Sequence, residues 1–254
     1  MMNKSTVDKI AKHARVARDA YADMPESFRK YFHLRPTSDN ITIVSTLPYA
    51  PMRGLSVSPD TLSEHLSAIQ ENLASVLSVS DTSGACLQEL GFRTRQGKRA
   101  LEENIQASFI RGMLDAESEY QQIAFVASEL TLGDNKRFDV VGFKDDTLYI
   151  FELKRGRTVT AAPQVKAYCE LVMEHRDLFE SVLSVYPNHP VPRFNRVKGI
   201  AVMSYAENSK LRTWEDWRNA ANSLSPSQKC SPDISDIDIW LFQQAFTFKK
   251  LSNG

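Results

Sequence analysis

The sequence has few of the features that mark common catalytic and metal-binding classes. Its three cysteines in 254 residues are far apart and form no CxxC pair, so neither a zinc ribbon nor a dithiol redox motif is predicted. The five histidines form no HxxxH or HxH pair, which disfavours a zinc-hydrolase site. The chain also has no Walker A loop, GxGxxG or GxSxG motif, so these common nucleotide-binding and serine-hydrolase signatures are absent.

Long apolar runs and an excess of one charge are missing as well. No apolar run approaches the roughly 18 residues of a membrane span, and the first residues have no apolar core of signal-peptide length. The sparse cysteines suit a reducing compartment, so we expect a cytoplasmic protein without membrane association. With 31 basic and 31 acidic residues the formal net charge is zero, which disfavours a non-specific coat on nucleic acid but allows local basic strips.

The hydrophobic pattern divides the chain into two regions. Residues 1–95 are predicted to be mainly helical, with one strand at 41–44, and to supply specificity or a homodimer contact. Residues 96–254 follow the order α-β-β-β-α-β-α-β, which predicts an α/β fold with a mixed central sheet flanked by helices. The expected elements are a helix at 98–114, strands at 123–130, 137–143 and 148–154, a helix at 163–179, a strand at 197–204, a helix at 214–221 and a strand at 237–246.

One predicted hairpin gathers charged side chains on a single face. If Asp145 and Asp146 form its two-residue turn, Asp139 pairs directly with Glu152. Side chains two residues apart share a face, so Arg137 and Lys154 project beside these acids. The opposite face is predicted to be core and to contain Phe138, Val140, Tyr149, Phe151 and Leu153.

Two opposed carboxylates in a sheet have Cβ atoms about 5 Å apart, and such like charges destabilise the pair. Lys154 offsets part of the repulsion, and a hard divalent cation would offset more. Mg²⁺ binds through one or two carboxylates together with water and phosphate oxygens, which suits phosphodiester hydrolysis. The alternative interpretation is an ordinary surface hairpin, because alternating charges often produce this loose pattern.

Two flanking helices strengthen the catalytic interpretation. In the first, Glu102 shares an apolar face with Ile105, Gln106, Phe109 and Met113, so it is predicted to enter the interior as a third acidic group. Glu103 is expected to be rotated away and solvated, although the choice between the two glutamates stays open.

The second flanking helix contains Gln164 and Tyr168 one turn apart. Gln164 lies in the first turn, where backbone N–H groups favour an anion such as a phosphate. The alternative is that Tyr168 is ordinary core and that Gln164 only caps the helix.

These motifs together resemble the PD-(D/E)XK nuclease superfamily, and more narrowly its RecB-like and NucS-like branches. The helical glutamate of the family resembles Glu102, its motif aspartate Asp139, its ExK pair Glu152 and Lys154, and its QxxxY motif Gln164 and Tyr168. The residue before the aspartate is Phe138 where the family name has proline, a position that varies. The resemblance covers residues 98–246 and implies a restriction-endonuclease-like core.

The resemblance implies a divalent-metal-dependent deoxyribonuclease, and we expect an endonuclease. Mg²⁺ or Mn²⁺ would be held by Asp139, Glu152 and Glu102, with Lys154 and Gln164 as further catalytic residues. DNA contacts are expected from Arg137, Arg155, Arg157, Lys166 and Tyr168. The alternative function is a non-catalytic module that binds nucleic acid or protein on the same fold, which the clustered acids disfavour because they would face phosphate. The form of DNA, the number of metal ions and the oligomeric state stay open.

Overall fold

The structure, a computed structural model, describes most of the chain. The described residues are 3–47, 52–78, 85–93, 99–114, 122–132, 137–154, 158–204, 213–222, 236–242 and 248–251. The predicted boundary between residues 95 and 96 lies outside these ranges, so the division into two domains stays a prediction. Within the described part, no helix is long and apolar enough to cross a membrane.

The N-terminal region combines helices with a small antiparallel sheet of three strands in the order β1-β2-β3. The helical elements confirm the prediction, whereas only β2 of the sheet was foreseen. The elements are α1 (Lys4–Ala22), α2 (Glu26–Arg29), β1 (Phe32–Pro36), β2 (Ile41–Ser45), β3 (Gly54–Val57), α3 (Leu62–Glu71), α4 (Leu73–Val76) and α5 (Ala85–Glu89).

The remaining elements build a six-stranded sheet in sequential order, β4 to β9. Strands β6, β7 and β8 are parallel to one another, and the other neighbours are antiparallel, which confirms a mixed sheet flanked by helices. The elements are α6 (Arg99–Leu114), β4 (Ala124–Leu130), β5 (Phe138–Lys144), β6 (Thr147–Lys154), α7 (Ala161–Glu174), α8 (Arg176–Leu183), β7 (Arg196–Ser204), α9 (Trp214–Asn222), β8 (Asp238–Phe242) and β9 (Phe248–Leu251).

Helices cover both faces of this sheet and come unusually close to it at two glycines. Helix α6 packs on one face, and α7, α8 and the first half of α1 pack on the other. A Cβ atom on Gly142 would lie 2.8 Å from the Met113 Cε of α6, and one on Gly199 would lie 2.9 Å from the Cys169 Sγ of α7. Glycine therefore lets each helix approach the strands closely.

The N-terminal region packs directly against edge strand β4. The Asn188 side chain joins the two sheets, because its Nδ2 donates to the carbonyls of Leu34 and Val126 while its Oδ1 accepts from the Leu34 N–H. Nearby, His33 Nε2 lies 2.6 Å from Ser128 Oγ in a buried contact. These polar contacts fix β1 beside the strand that precedes the charged hairpin.

Candidate active site

The β5–β6 hairpin has the register that the sequence predicts. Its ladder begins at Lys144 and Thr147, so Asp145 and Asp146 form the two-residue turn. Asp145 has a φ of 56°, a left-handed value that aspartate tolerates better than most residues. The recorded ladder ends at Val140 opposite Phe151, and Asp139 and Glu152 are the next residues on the two strands.

Asp139 is fixed from two directions. Its Oδ2 accepts a hydrogen bond of 2.9 Å from the Leu153 N–H of β6. Its backbone carbonyl accepts one of 2.6 Å from Gln106 Nε2 of α6. Gln106 is buried. Helix α6 therefore holds the end of β5 through an interior amide, a contact that the apolar pattern of the helix does not predict.

Glu152 is the most deeply buried acid of the hairpin, with 2 % of its surface exposed. The Lys154 Nζ lies 2.5 Å from its Oε1, whereas its Oε2 has no hydrogen-bond partner among the described residues. Burial and, after it, the charge of Asp139 raise the pKa of Glu152 to about 7, against the opposing effect of Lys154. Among the described residues, only one of the two oxygens of this buried carboxylate therefore has a hydrogen-bond partner.

Gln164 and Tyr168 complete the group on the α7 side. Gln164 Nε2 donates to the Tyr168 hydroxyl at 2.9 Å, and the tyrosine ring lies 4.8 Å from the ring of Phe138. Burial raises the pKa of Tyr168, the hydrogen bond from Gln164 lowers it, and the charges of Glu152 and Asp139 raise it. The ring of Tyr168 is part of the core, and the role of its hydroxyl toward DNA stays a prediction.

The predicted position of Phe138 is wrong. It was expected on the face that contains Phe151 and Leu153, but it packs against Tyr168 and Phe179 on the opposite face of the sheet. The regular alternation of side chains between the two faces of β5 ends where the β5–β6 ladder ends, at Val140. Beyond that point the Asp139 side chain takes the N–H of Leu153, and the strand no longer follows the pleat.

The predicted orientation of helix α6 is also wrong in part. Glu103, expected to be solvated, is 9 % exposed and lies one turn before Gln106, which bonds Asp139. The side chain of Glu102 lies outside the described part of the structure, so its role as a metal ligand stays a prediction. Apolar residues stand at both 109 and 110, so either of two neighbouring faces of α6 could be the one that packs on the sheet. The sequence pattern alone does not distinguish these two orientations.

The start of α7 offers less to an anion than expected. The Ala161 N–H donates to the Thr158 carbonyl, and the Gln164 N–H donates to the Thr160 carbonyl. Pro163 has no N–H. Three of the first four backbone positions therefore cannot donate to a phosphate, so any contribution of Gln164 would come from its side chain.

The basic residues expected to contact DNA are not all at the site. Arg137 is 58 % exposed, and its Nη1 lies 3.1 Å from Glu129 Oε1. Its charge lowers the pKa of Glu152, after the larger effects of burial, Asp139 and Lys154, and it precedes Asp139 by two residues. Lys166 instead bonds Asp236 at 2.6 Å on another side of α7, and residues 155 and 157 lie outside the described part.

The described residues supply two of the three expected metal ligands. Among them, no group of three or more histidine, cysteine, aspartate or glutamate side chains is placed to hold a metal ion. Asp139 and Glu152 lie on neighbouring strands within the described part, and their role as metal ligands stays a prediction.

Comparison with protein-family models, with curated proteins and with solved structures found no significant match to this chain. The geometry of the hairpin and of the two helices beside it is therefore the evidence for function.

Proposed function

We propose that the protein is a divalent-metal-dependent deoxyribonuclease, and specifically an endonuclease, which hydrolyses phosphodiester bonds at the Asp139–Glu152 pair. The observation that supports this most is the buried Glu152 carboxylate, of which one oxygen bonds Lys154 and the other has no partner among the described residues. An unsatisfied buried carboxylate oxygen costs several kcal/mol. A cation bound to this oxygen would remove the cost.

The chemistry of the donors fits Mg²⁺ or Mn²⁺. Hard divalent cations prefer carboxylate oxygens, and Mg²⁺ commonly uses one or two of them with water and substrate phosphate in the other positions. Asp139 and Glu152 would hold the ion, and Glu102 is the third ligand that the family resemblance suggests. Nitrogen and sulfur donors, which zinc prefers, are absent from the described group.

A bound cation would supply a water of lowered pKa and neutralise charge on the phosphate. The residues of the chain do the rest. Lys154, already held against Glu152, places a positive charge where negative charge develops on the phosphate. The Gln164 amide and the Tyr168 hydroxyl position one another through their hydrogen bond. The exposed Arg137 would contact the DNA backbone with the guanidinium nitrogens that do not bond Glu129.

A non-catalytic binding module is the second candidate. It is favoured by the finding that no group of three or more histidine, cysteine, aspartate or glutamate side chains among the described residues is placed to hold a metal ion. We further propose that the partner is DNA, that the N-terminal region provides specificity or a homodimer contact, and that the protein is cytoplasmic, in keeping with its few and widely separated cysteines.

The nuclease proposal is tested with covalently closed circular DNA. We expect the purified wild-type protein to nick or linearise it with Mn²⁺ or Mg²⁺ and to leave it intact in EDTA, because only an endonuclease can cut a molecule without ends. Glu152→Gln should abolish cutting, since it removes a ligand charge with little change in shape.

The matched control is Glu174→Gln, which makes the same change at a side chain that is 72 % exposed. Cutting that this control retains and that Glu152→Gln loses supports the proposal. Folded wild-type protein that binds DNA without cutting closed circles, single strands or branched DNA in Mn²⁺ would favour the binding module.

A further inference from the structure

A cavity of about 330 Å³ lies beside the proposed active site, between the N-terminal region and the β4–β5 edge. Its walls come from α1, from β1 and β2 with their connecting turn, and from β4 and the start of β5. Its size is at the lower end of the roughly 300–1,000 Å³ range of small-ligand sites. Arg137, which lines this cavity, precedes Asp139 by two residues. Glu129, also in the lining, lies between the two β4 residues that pair with Phe138 and Val140 on either side of Asp139, so the two sites are adjacent.

The lining combines positive charge, hydroxyl groups and a small apolar surface. The charged residues are Arg35, Arg137 and Glu129, which leaves a net positive charge of one. Hydroxyl groups come from serine and threonine side chains on three sides of the cavity, and Ile10 and Pro36 add the apolar surface. Guanidinium groups recognise phosphate, hydroxyls can bind phosphate or sugar oxygens, and an apolar wall suits a base.

The acid in this cavity is held in a costly backbone conformation. Glu129 has a φ of 48°, a left-handed value that is uncommon for a residue other than glycine, asparagine or aspartate. Its carboxylate pairs with both Arg35 and Arg137. A strained residue that holds two cations at the wall of a cavity is typical of a binding site, and the observed contacts explain what the conformation achieves here.

We infer that this cavity binds a single unpaired nucleotide of the DNA strand being cut, with its phosphate on Arg35 and Arg137 and its base or sugar against Ile10 and Pro36. The inference rests on the proposed function and names its substrate class. A stacked and paired base cannot enter a cavity of this kind without leaving the duplex. Single-stranded or branched DNA should therefore be a better substrate than an intact duplex.

The test measures binding of single-stranded oligonucleotides by fluorescence anisotropy in the Glu152→Gln background, which blocks cutting. One series of oligonucleotides has a neutral methylphosphonate at each successive position. We expect one position to weaken binding by about tenfold, because a charge-assisted contact is lost there. That penalty should disappear in Arg137→Gln and in Thr6→Trp, the second of which fills the cavity from α1.

The control is Val16→Trp, an equally bulky change on the exposed part of the same helix. It should retain both the affinity and the positional penalty. Arg137→Gln alters an exposed side chain and needs no repacking, so the test still decides if Thr6→Trp does not fold.

Three outcomes would overturn the inference. The first is a scan with equal affinity at every position, and the second is a positional penalty that Arg137→Gln leaves unchanged. The third is competition by free deoxyadenosine monophosphate that depends on Thr6 while the scan stays flat, because the cavity would then take a free nucleotide. Failure of the wild type to cut these oligonucleotides in Mn²⁺, with the positional penalty intact, contradicts the nuclease proposal alone.

Discussion

The β5–β6 hairpin contains two acidic pairs, one at each end, and their surroundings are opposite. At the exposed tip, Asp146 accepts hydrogen bonds from Arg196 at 2.6 Å and from Asn195 at 3.3 Å. These bonds, that of Arg196 foremost, lower the pKa of Asp146. At the other end, burial and the neighbouring charge of Asp139 raise the pKa of Glu152 to about 7.

A pair of acidic residues in the sequence is therefore not sufficient to form a metal site. At the tip, Asp146 already accepts from donors of the chain and both acids are reached by solvent, so a bound cation would add little stabilisation there. In the buried pair, one oxygen of Glu152 bonds Lys154 and the other has no hydrogen-bond partner among the described residues. A bound cation would therefore add most stabilisation there. Four predictions test this difference.

The largest expected effect comes from making the same substitution at both ends. Asp139→Asn should reduce cutting by about 1000-fold or more, because it removes charge that would hold the cation and its activated water. Asp145→Asn at the tip should leave cutting unchanged, since asparagine also tolerates the left-handed backbone there. Initial rates on closed circular DNA measure both, and equal rates would remove the distinction between the two ends.

Lys154→Met should reduce cutting by about 100-fold, because a positive charge that stabilises the transition state is lost. The control is Lys144→Met near the tip of the same hairpin, where the ammonium group bonds Gln122 on an exposed surface. The ratio of kcat to KM for the two variants is the measurement. A similar small loss in both would mean that Lys154 only balances charge.

The two ends should also affect stability with opposite dependence on pH. The folded pKa of Glu152 is raised from 4.5 to about 7, so its contribution is fully present below its unfolded pKa and is lost as pH rises through 7. Asp146 has a lowered pKa, so its contribution is lost as pH falls below its unfolded value. Urea unfolding of metal-free protein from pH 2 to pH 8 measures both slopes, because the Asp146 contribution is lost only at acid pH.

Glu152→Gln should remove the loss of stability between pH 4.5 and pH 7, and Asp146→Asn should remove the loss at lower pH. A wild-type protein that becomes more stable as pH rises through 7, with Glu152→Gln unchanged in this slope, would contradict the assigned burial of Glu152.

The smallest effect is expected from Tyr168→Phe, which keeps the ring on Phe138 and removes the hydroxyl. The Gln164 amide loses its acceptor, so the free energy of unfolding should fall by about 1 kcal/mol. Cutting should fall less than in Lys154→Met, because Tyr168 positions Gln164 without carrying charge. A loss of activity as large as that of Asp139→Asn would require a direct role in catalysis.

Sequence patterns predicted the part of the hairpin that periodicity controls. A two-residue turn sets the register of the whole ladder, so the pairing from Lys144–Thr147 to Val140–Phe151 followed from Asp145 and Asp146 alone. The pattern failed two residues past the end of the β5–β6 ladder. There Phe138 turns to the α7 side while the Asp139 carboxylate bonds the backbone of β6, and alternation has no information about such a side-chain contact.

Long-range contacts were outside the reach of sequence reasoning. Nothing local indicates that Gln106 donates to the Asp139 carbonyl, or that Glu129 pairs with Arg137 and with Arg35 of a distant strand. Gln106 does not separate the two glutamates either, because residues three and four positions apart both share a helix face. The burial of Glu103 was therefore not predictable from the spacing of the residues on α6.

The central claim is that the buried acids form a cation site, and the most direct measurement is a titration of the Glu152 side-chain carboxyl carbon by ¹³C NMR with and without Mg²⁺. We predict a pKa near 7 without the ion and a clearly lower pKa with it, because a bound cation favours the ionised carboxylate. An unchanged pKa for Glu152 at saturating Mg²⁺ and Mn²⁺, in protein that remains folded, would contradict the account.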